Sequence, residues 1–390
     1  MIKVISRAED LAVNGASPAF DDPLHVGRPN NGSLERFQTY AQEIFDRNWL
    51  TNNGPLVQEL EQRVAECHQV KHCVAMCNGT VALEIAIRAL KLEGEVIIPS
   101  YTFVATAHAL FWQAITPVFA DIDPQTHTLN PAAVRRMITP RTTGIIGVHL
   151  WGRPAHIEGL QSIADEYNLK LMFDAAHAFG CSYNGTMIGS FGICEVLSFH
   201  ATKFFNTFEG GAVLTNDDEL AEAMRLMRNF GFSGMDNVIH PGTNGKMIEI
   251  AAAMGLVNLE VMDEVIAANR TNYYTYREEL SGLPGISLIS YNETEANNFQ
   301  YIVLQVGDDC PVSRDQIIQA LHAENILARR YFWPGCHNMM PYRELYPNSE
   351  LLLSNTKKVA DRVILLPTGT SIDHASIQTV ISVIRTRMSC

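Results

Sequence analysis

The stretch SFHATKFFNTFEGGAVLTN, residues 198–216, sets a lysine between two strand-like runs. Lys203 follows the apolar residues 196–199 and precedes Phe204, Phe205 and Phe208, in a region otherwise poor in basic residues. A lysine held in partly desolvated surroundings has a depressed pKa, which frees its amine as a nucleophile for Schiff-base chemistry. The same residues also fit a lysine whose stem passes an aromatic cluster to reach water. What gathers at the ends of the neighbouring strands decides between them.

Outward from this stretch, helix-period and strand-period segments alternate from about residue 55. A helix over 55–66 is followed by a strand at HCVAMC, a helix at TVALEIAIRAL and a strand at EVIIP. Next come a helical VATAHALFW, strands at TPVFADID and GIIGVHL, a helix at IEGLQSIADEYN, and strands at KLMFDAA, EVLSFH and GGAVLTN. Strands rich in Val, Ile and Phe alternating with amphipathic helices imply a mostly parallel sheet covered on both faces. This is an α/β fold. The segment GFSGMDNVIHPGTNG breaks the pattern, and one long helix-prone stretch over 246–280 leads into a smaller α+β region. The expected division is an arm and loop over 1–46, a large α/β domain over 47–245 and a small C-terminal domain over 246–390.

The chain has 390 residues, 47% of them hydrophobic, enough for a large core. A formal charge of −13 without any basic run argues against a nucleic-acid partner. No apolar run reaches the roughly 18 residues of a membrane span, and the start MIKVISRAEDLAV lacks a signal-peptide core. A cytoplasmic protein without a membrane partner is expected. Its eight cysteines are scattered, which favours free thiols. Cys67, Cys73 and Cys77, with His68 and His72, match no standard zinc spacing, so no metal is expected.

Ligands of open parallel sheets collect at the carboxyl ends of strands. Asn78, Gly79 and Thr80 follow HCVAMC and open a helix, where free N–H groups and the helix dipole suit a phosphate or make an ordinary helix cap. There is no GxGxxG fingerprint and no Walker loop. Asp174 ends the run KLMF, where a carboxylate either pairs with a cation or caps a turn. A cofactor carrying a phosphate, a pyridine nitrogen and an aldehyde would use Thr80, Asp174 and Lys203 together. Phe103 in SYTFVAT offers a flat face to such a ring or belongs to the core.

In this order, GPLVQELEQRVA, NGTVAL, EVIIPSYTFVATAHA, TPVFADID, GVHLWGRP, FDAAHAFG, SFHATKFFNTFEGGAVLTND and GTNGKMIEIAAAMGL resemble the DegT/DnrJ/EryC1/StrS sugar aminotransferases over nearly the whole chain. The resemblance implies pyridoxal 5′-phosphate bound on the fold type I scaffold of the aspartate aminotransferases. It implies Lys203 as the covalent anchor and proton carrier, Asp174 on the pyridine nitrogen and His177 beside the ring hydroxyl. Ser198 and the Gly79–Thr80–Val81 corner would hold the phosphate, and Phe103 would stack on the ring. Asn244 matches an asparagine that reaches the phosphate of the neighbouring subunit, which implies a homodimer with shared sites. Lys246 departs from the arginine many relatives carry. The GTNGKM variant resembles the subgroup that aminates carbon 4 of a nucleotide-linked 4-keto-6-deoxyhexose.

The implied reaction moves the amino group of L-glutamate to such a sugar, linked to dTDP. Amination at carbon 3 or of another cyclic ketone is the alternative, followed by a non-catalytic binder on the same scaffold. A sugar dehydratase would carry histidine where Lys203 stands. Arg28, Arg329, Arg330 and Lys246 are candidates for the diphosphate, and His337 falls in a segment resembling the substrate-side lid.

Overall fold

The computed structural model describes residues 3–390, so residues 1–2 of the expected arm lie outside it. Seven strands form the central sheet: β1 (His72–Met76), β2 (Glu95–Pro99), β3 (Thr116–Ala120), β4 (Thr142–Val148), β5 (Lys170–Asp174), β6 (Cys194–Ser198) and β7 (Gly211–Thr215). Their order is β1-β7-β6-β5-β4-β2-β3. Every pairing is parallel except those of β7, which runs antiparallel to both β1 and β6. The strands on either side of β7 therefore point the same way. Six carboxyl ends line one edge of the sheet, and the amino end of β7 joins them.

The strands are buried on both faces, as a sheet covered by helices requires. Val96, Ile97, Ile98, Ile145, Ile146, Leu171, Met172 and Phe173 are wholly or almost wholly buried. Each such side chain contributes about 1.5–3 kcal/mol relative to exposure. Helix Gly79–Ala89 packs into the cluster on one face with Val74, Ile98, Ile146 and Val213. Helices Pro131–Met137 and Ile157–Tyr167 pack with Ile97, Ile145 and Phe173 on the other. Glu195 sits fully buried on that sheet without disrupting it, because its oxygens accept from the N–H groups of Gly189 (2.8 Å) and Phe191 (2.7 Å) and from His149 Nε2 (2.9 Å).

The helix-prone stretch over 246–280 forms two helices, Glu249–Glu260 and Met262–Leu280, which meet at Val261. The junction separates two packing environments. Ala251, Ala252, Ala253, Leu256 and Val257 join a core cluster with Leu56, Leu60 and Val64 of helix Pro55–His68 and with Ala212 and Leu214 of β7. Glu249 is fully buried there, capping that helix through the N–H groups of Leu56 (3.0 Å) and Val57 (2.9 Å). The helix assigned from sequence to 246–390 thus packs with the large sheet's layer, while Tyr273, Tyr276 and Leu280 of the second helix pack in the small unit.

The small unit is a three-stranded antiparallel sheet of β8 (Ile286–Leu288), β9 (Ile302–Val306) and β10 (Val363–Leu366), with helices Arg314–Ala323 and His374–Met388 in its core. The expected arm is divided between the two. Ile5, Leu11 and Leu24 pack with the small unit, whereas Tyr40 and Ile44 of helix Leu34–Arg47 pack with the large one. Buried Glu324 secures the first part by accepting from the N–H groups of Ala12 (2.6 Å) and Ala19 (2.7 Å) and from Lys3 Nζ (3.1 Å). No helix among the described residues is long and apolar enough to cross a membrane.

Candidate active site

The loop after β6 is closed at its neck by two hydrogen bonds, Phe199 N–H to Gly210 O (2.8 Å) and Thr207 N–H to Phe199 O (2.9 Å). Phe199, Phe204 and Phe205 point inward, while Phe208 stays exposed. Phe205 stacks on Phe179 at 4.3 Å, and Phe199 meets Phe205 edge-on at 5.0 Å. Lys203 sits between these anchors, partly buried, and burial pushes its amine down to about 8, with the negative charge of Asp174 acting in the opposite direction. The flanking aromatics therefore do more than accommodate a lysine stem: they hold an amine that gives up its proton far more readily than an ordinary lysine.

Asp174 ends β5, almost fully buried. Its oxygens accept from Thr106 Oγ1 (2.8 Å) and from the N–H of Ala176 (3.2 Å). Burial raises its pKa, while these two hydrogen bonds and the charge of Lys203 oppose the rise. A cation placed beside it would favour the carboxylate further. His177 follows on the same strand end, buried, with Nδ1 accepting from the N–H of Trp151 (3.3 Å). Burial, with the Lys203 charge adding to it, holds the His177 imidazole well below its usual range, so the ring is neutral.

The end of β1 and the start of β7 make a cup. Asn78 caps helix Gly79–Ala89 by accepting from Val81 N–H (2.8 Å), leaving the N–H groups of Gly79 and Thr80 without intrahelical acceptors. Glycine is required at 211 and leaves little room for anything larger at 79. A Cβ on Gly79 would stand 3.2 Å from Ser198 Oγ, and one on Gly211 would stand 2.6 Å from Gly79 N. Ser198, Gly79, Thr80 and Val81 are thereby drawn to one place, where the helix N-terminus and a hydroxyl suit an oxyanion.

The wall opposite is aromatic. Trp151, Tyr301 and Phe332 surround the His177 ring at centroid distances of 5.5, 4.3 and 6.0 Å. Phe103, 56% exposed beyond β2, lies 6.4 Å from Phe332. A web of side-chain amides ties these loops together. Asn30 O accepts from Asn206 Nδ2 (2.8 Å), Asn30 Oδ1 accepts from Thr370 N–H (3.1 Å), and Asn298 Nδ2 donates to His177 O and Phe179 O, each at 3.1 Å.

The other predicted residues divide. Arg28 follows Gly27, which packs against Thr202 of the lysine loop, and its guanidinium donates to Pro23 O (2.9 Å). Lys246 Nζ stands over the Phe230 ring at 4.7 Å. Gly245 O accepts from Cys77 N–H (2.8 Å), which fixes the neighbouring Asn244 beside the cup, its side chain exposed and without a hydrogen bond among the described residues. Arg329 is exposed above the Tyr331 ring at 5.0 Å. Arg330 is not brought into the constellation: its guanidinium is engaged by Asp315 (3.3 Å) and Trp333 (4.5 Å) on the surface. His337 is sealed, 2% exposed, with Nδ1 2.6 Å from Ser100 Oγ, so it fastens the lid segment to the end of β2.

The family profile of the DegT/DnrJ/EryC1/StrS aminotransferases matches residues 33–385. The chain belongs to that family. It is 38% identical to the dTDP-4-amino-4,6-dideoxy-D-glucose transaminase of Shigella dysenteriae, over 94% of this chain and 99% of the relative. It is 35% identical to the GDP-perosamine synthase of Caulobacter vibrioides, over 92% and 96%. Among solved structures, DesI in the presence of its TDP-sugar product superposes with a TM-score of 0.93 at 47% identity, covering 98% of this chain and 97% of that one. These likenesses span both units of this family member, so the strand-edge constellation belongs to a sugar aminotransferase scaffold.

Sequence reasoning passed over Thr106, Trp151, Asn298, Tyr301 and Phe332. Thr106 and Trp151 lie inside quoted motifs, one helical turn past Phe103 and within GVHLWGRP, and a search for partners of Asp174 and His177 would have found them. Tyr301 and Phe332 reach the site only through packing of the small unit, which no local pattern signals.

Proposed function

We propose that this aminotransferase uses pyridoxal 5′-phosphate to move the amino group of L-glutamate onto carbon 4 of a dTDP-linked 4-keto-6-deoxyhexose, in amino-sugar biosynthesis. The observation that carries this reading is the convergence of a pKa-lowered lysine, a buried carboxylate and an oxyanion cup at one strand edge. The donor set fits the cofactor: the cup suits its phosphate, Asp174 its ring nitrogen, and Lys203 its aldehyde. When bound, the cofactor supplies a carbonyl that exchanges amino groups and a ring that withdraws electrons from the carbon losing a proton.

The chain's residues supply the rest. The Gly79 and Thr80 N–H groups and Ser198 Oγ take the phosphate. Asp174 holds a proton on the ring nitrogen. Lys203 Nζ would hold the cofactor's carbonyl carbon, and it would be the base that takes the proton lost by the donor carbon and, in the second half of the cycle, the acid that gives a proton to the acceptor carbon. Phe103 offers a face to the ring, and Trp151, Tyr301 and Phe332 restrict water. Arg28, Arg329 and Lys246 are the cations offered to the diphosphate.

The relatives' own names support carbon 4, and the perosamine synthase favours keeping a GDP-linked sugar as the second reading. The test is turnover with glutamate against dTDP- and GDP-linked 4-keto sugars and their 3-keto isomers, with NMR of the product. A new amine at carbon 4 of the dTDP sugar is expected. Turnover confined to the GDP sugars would overturn the nucleotide, and an amine at carbon 3 would overturn the position. Location in the cytoplasm belongs to the same reading and is checked by cell fractionation.

A homodimer completes it. Phe230, Phe232, Val238, Ile239 and Ile248 are large and exposed around Asn244, and Met235 is 94% exposed. Apolar surface of this extent favours a covering partner, and the free Asn244 amide suits the cofactor phosphate of a second copy. Mixing a Lys203→Ala chain with an Asn244→Asp chain gives heterodimers with one doubly defective site and one intact site. Activity is expected to return to about half of wild type per heterodimer. Heterodimers confirmed by native mass spectrometry yet inactive would assign Asn244 to its own chain's site, beside Cys77.

A further inference from the structure

His177 is held on three sides before any ligand arrives. Asn298 Nδ2 fixes its carbonyl at 3.1 Å, Tyr301 stacks on its ring at 4.3 Å, and Trp151 packs beside it at 5.5 Å. A further contact comes from the backbone of Trp151. This residue lies in the 3-10 turn Leu150–Gly152 with φ 63° and ψ 23°, a left-handed conformation that a bulky residue adopts only where its surroundings impose it. The indole provides that imposition. It is fully buried, stacks on Phe332 at 5.4 Å with planes 8° apart, and donates from Nε1 to His127 Nδ1 at 3.3 Å.

A backbone N–H only donates. The nitrogen of His177 that meets Trp151 N–H, Nδ1 at 3.3 Å, must offer a lone pair, so a neutral ring carries its proton on Nε2. Nε2 has no hydrogen-bond partner among the described residues.

We propose that the left-handed turn at Trp151 is a positioning device that fixes His177 as the neutral Nε2–H tautomer, making it a hydrogen-bond donor to the cofactor's ring oxygen and barring it from serving as a base there. The identity of the acceptor rests on the cofactor reading given above; the tautomer does not. Burial and the Lys203 charge act in the same direction, since both disfavour a second proton on the ring. The proton traffic of the reaction then falls to Lys203 alone, and His177 serves to stabilise negative charge on the oxygen it faces.

The tautomer is read from ¹⁵N spectra of histidine-labelled protein, with His177→Gln identifying the signal. In cofactor-free protein at pH 7.5, a protonated Nε2 and an unprotonated Nδ1 are expected; a protonated Nδ1, alone or in an imidazolium, overturns the proposal. Trp151→Gly keeps the N–H and tolerates the left-handed backbone, so the tautomer is expected to persist, and a switch would mean that indole packing rather than the N–H selects it. On reconstitution with pyridoxal phosphate the Nε2–H proton is expected to move downfield. A visible cofactor band with an unmoved Nε2–H signal would overturn the donor role. Absence of any cofactor band would instead overturn the cofactor reading, leaving the tautomer as measured in the same sample.

Discussion

Lys203→Ala is expected to lower turnover by about 10⁴-fold or more, because in the proposed reaction one amine serves as both covalent anchor and proton carrier. Such a loss corresponds to roughly 5 kcal/mol of transition-state stabilisation. The fold is expected to survive, since the loop's neck and its buried phenylalanines do not involve the lysine. Stability even changes in the opposite direction. Folding lowers this amine from its ordinary 10.5 to about 8, so between those values the unfolded chain binds more protons and stability rises with pH. Below pH 8 the folded protein carries a partly desolvated charge that alanine removes. A melting temperature at pH 7 equal to or above that of wild type is therefore expected beside the lost activity. Borohydride reduction of the loaded wild type followed by peptide mapping gives the direct check, and a label on Lys246 or any other lysine would sink the assignment.

The same lysine shows how far the sequence could be read. Its flanking residues alone left two meanings open, and only the order of motifs along the chain separated them. The sheet was legible because strands buried on both faces write themselves as apolar runs, as EVIIP and KLMF do. Boundaries were less so. TPVFADID reads as one strand, yet β3 stops at Ala120, and Asp121 turns aside to accept from Asn355 N–H (3.0 Å) and Thr356 N–H (2.8 Å) of the helix Ser354–Ala360. The stretch 246–280 reads as helix-prone throughout, and nothing local marks Val261 as the point where one packing surface ends and another begins. Helix Pro131–Met137, at seven residues, was too short for its period to register. Candidate site residues with a chemical signature could be named from sequence, whereas the aromatic wall and the amide web depend on contacts between distant segments.

Asp174→Asn is expected to slow the chemical step by about a hundredfold, equivalent to roughly 3 kcal/mol, while cofactor still binds. Asparagine keeps the volume and one accepting oxygen, so the bond from Ala176 N–H can persist. Its NH₂ would face Thr106 Oγ1, which can accept that bond and turn its own proton to Thr102 Oγ1, already 3.0 Å away. The bond to Thr106 is thereby kept, at the cost of one amide N–H without a protein acceptor, and burial, which raises the pKa of the native carboxyl, no longer opposes a charge. The variant is expected to fold with wild-type stability or better. On the proposed reading it would lose the negative charge that keeps a proton on the cofactor's ring nitrogen, and with it the electron withdrawal that would stabilise the donor carbon as its proton leaves. Single-turnover kinetics with glutamate separate this from binding: an unchanged dissociation constant for the cofactor with a slowed half-reaction is expected. A half-reaction as fast as wild type would mean that Asp174 serves only to order the turn at Ala176, and the cation partner of the carboxylate would have to be Lys203 itself.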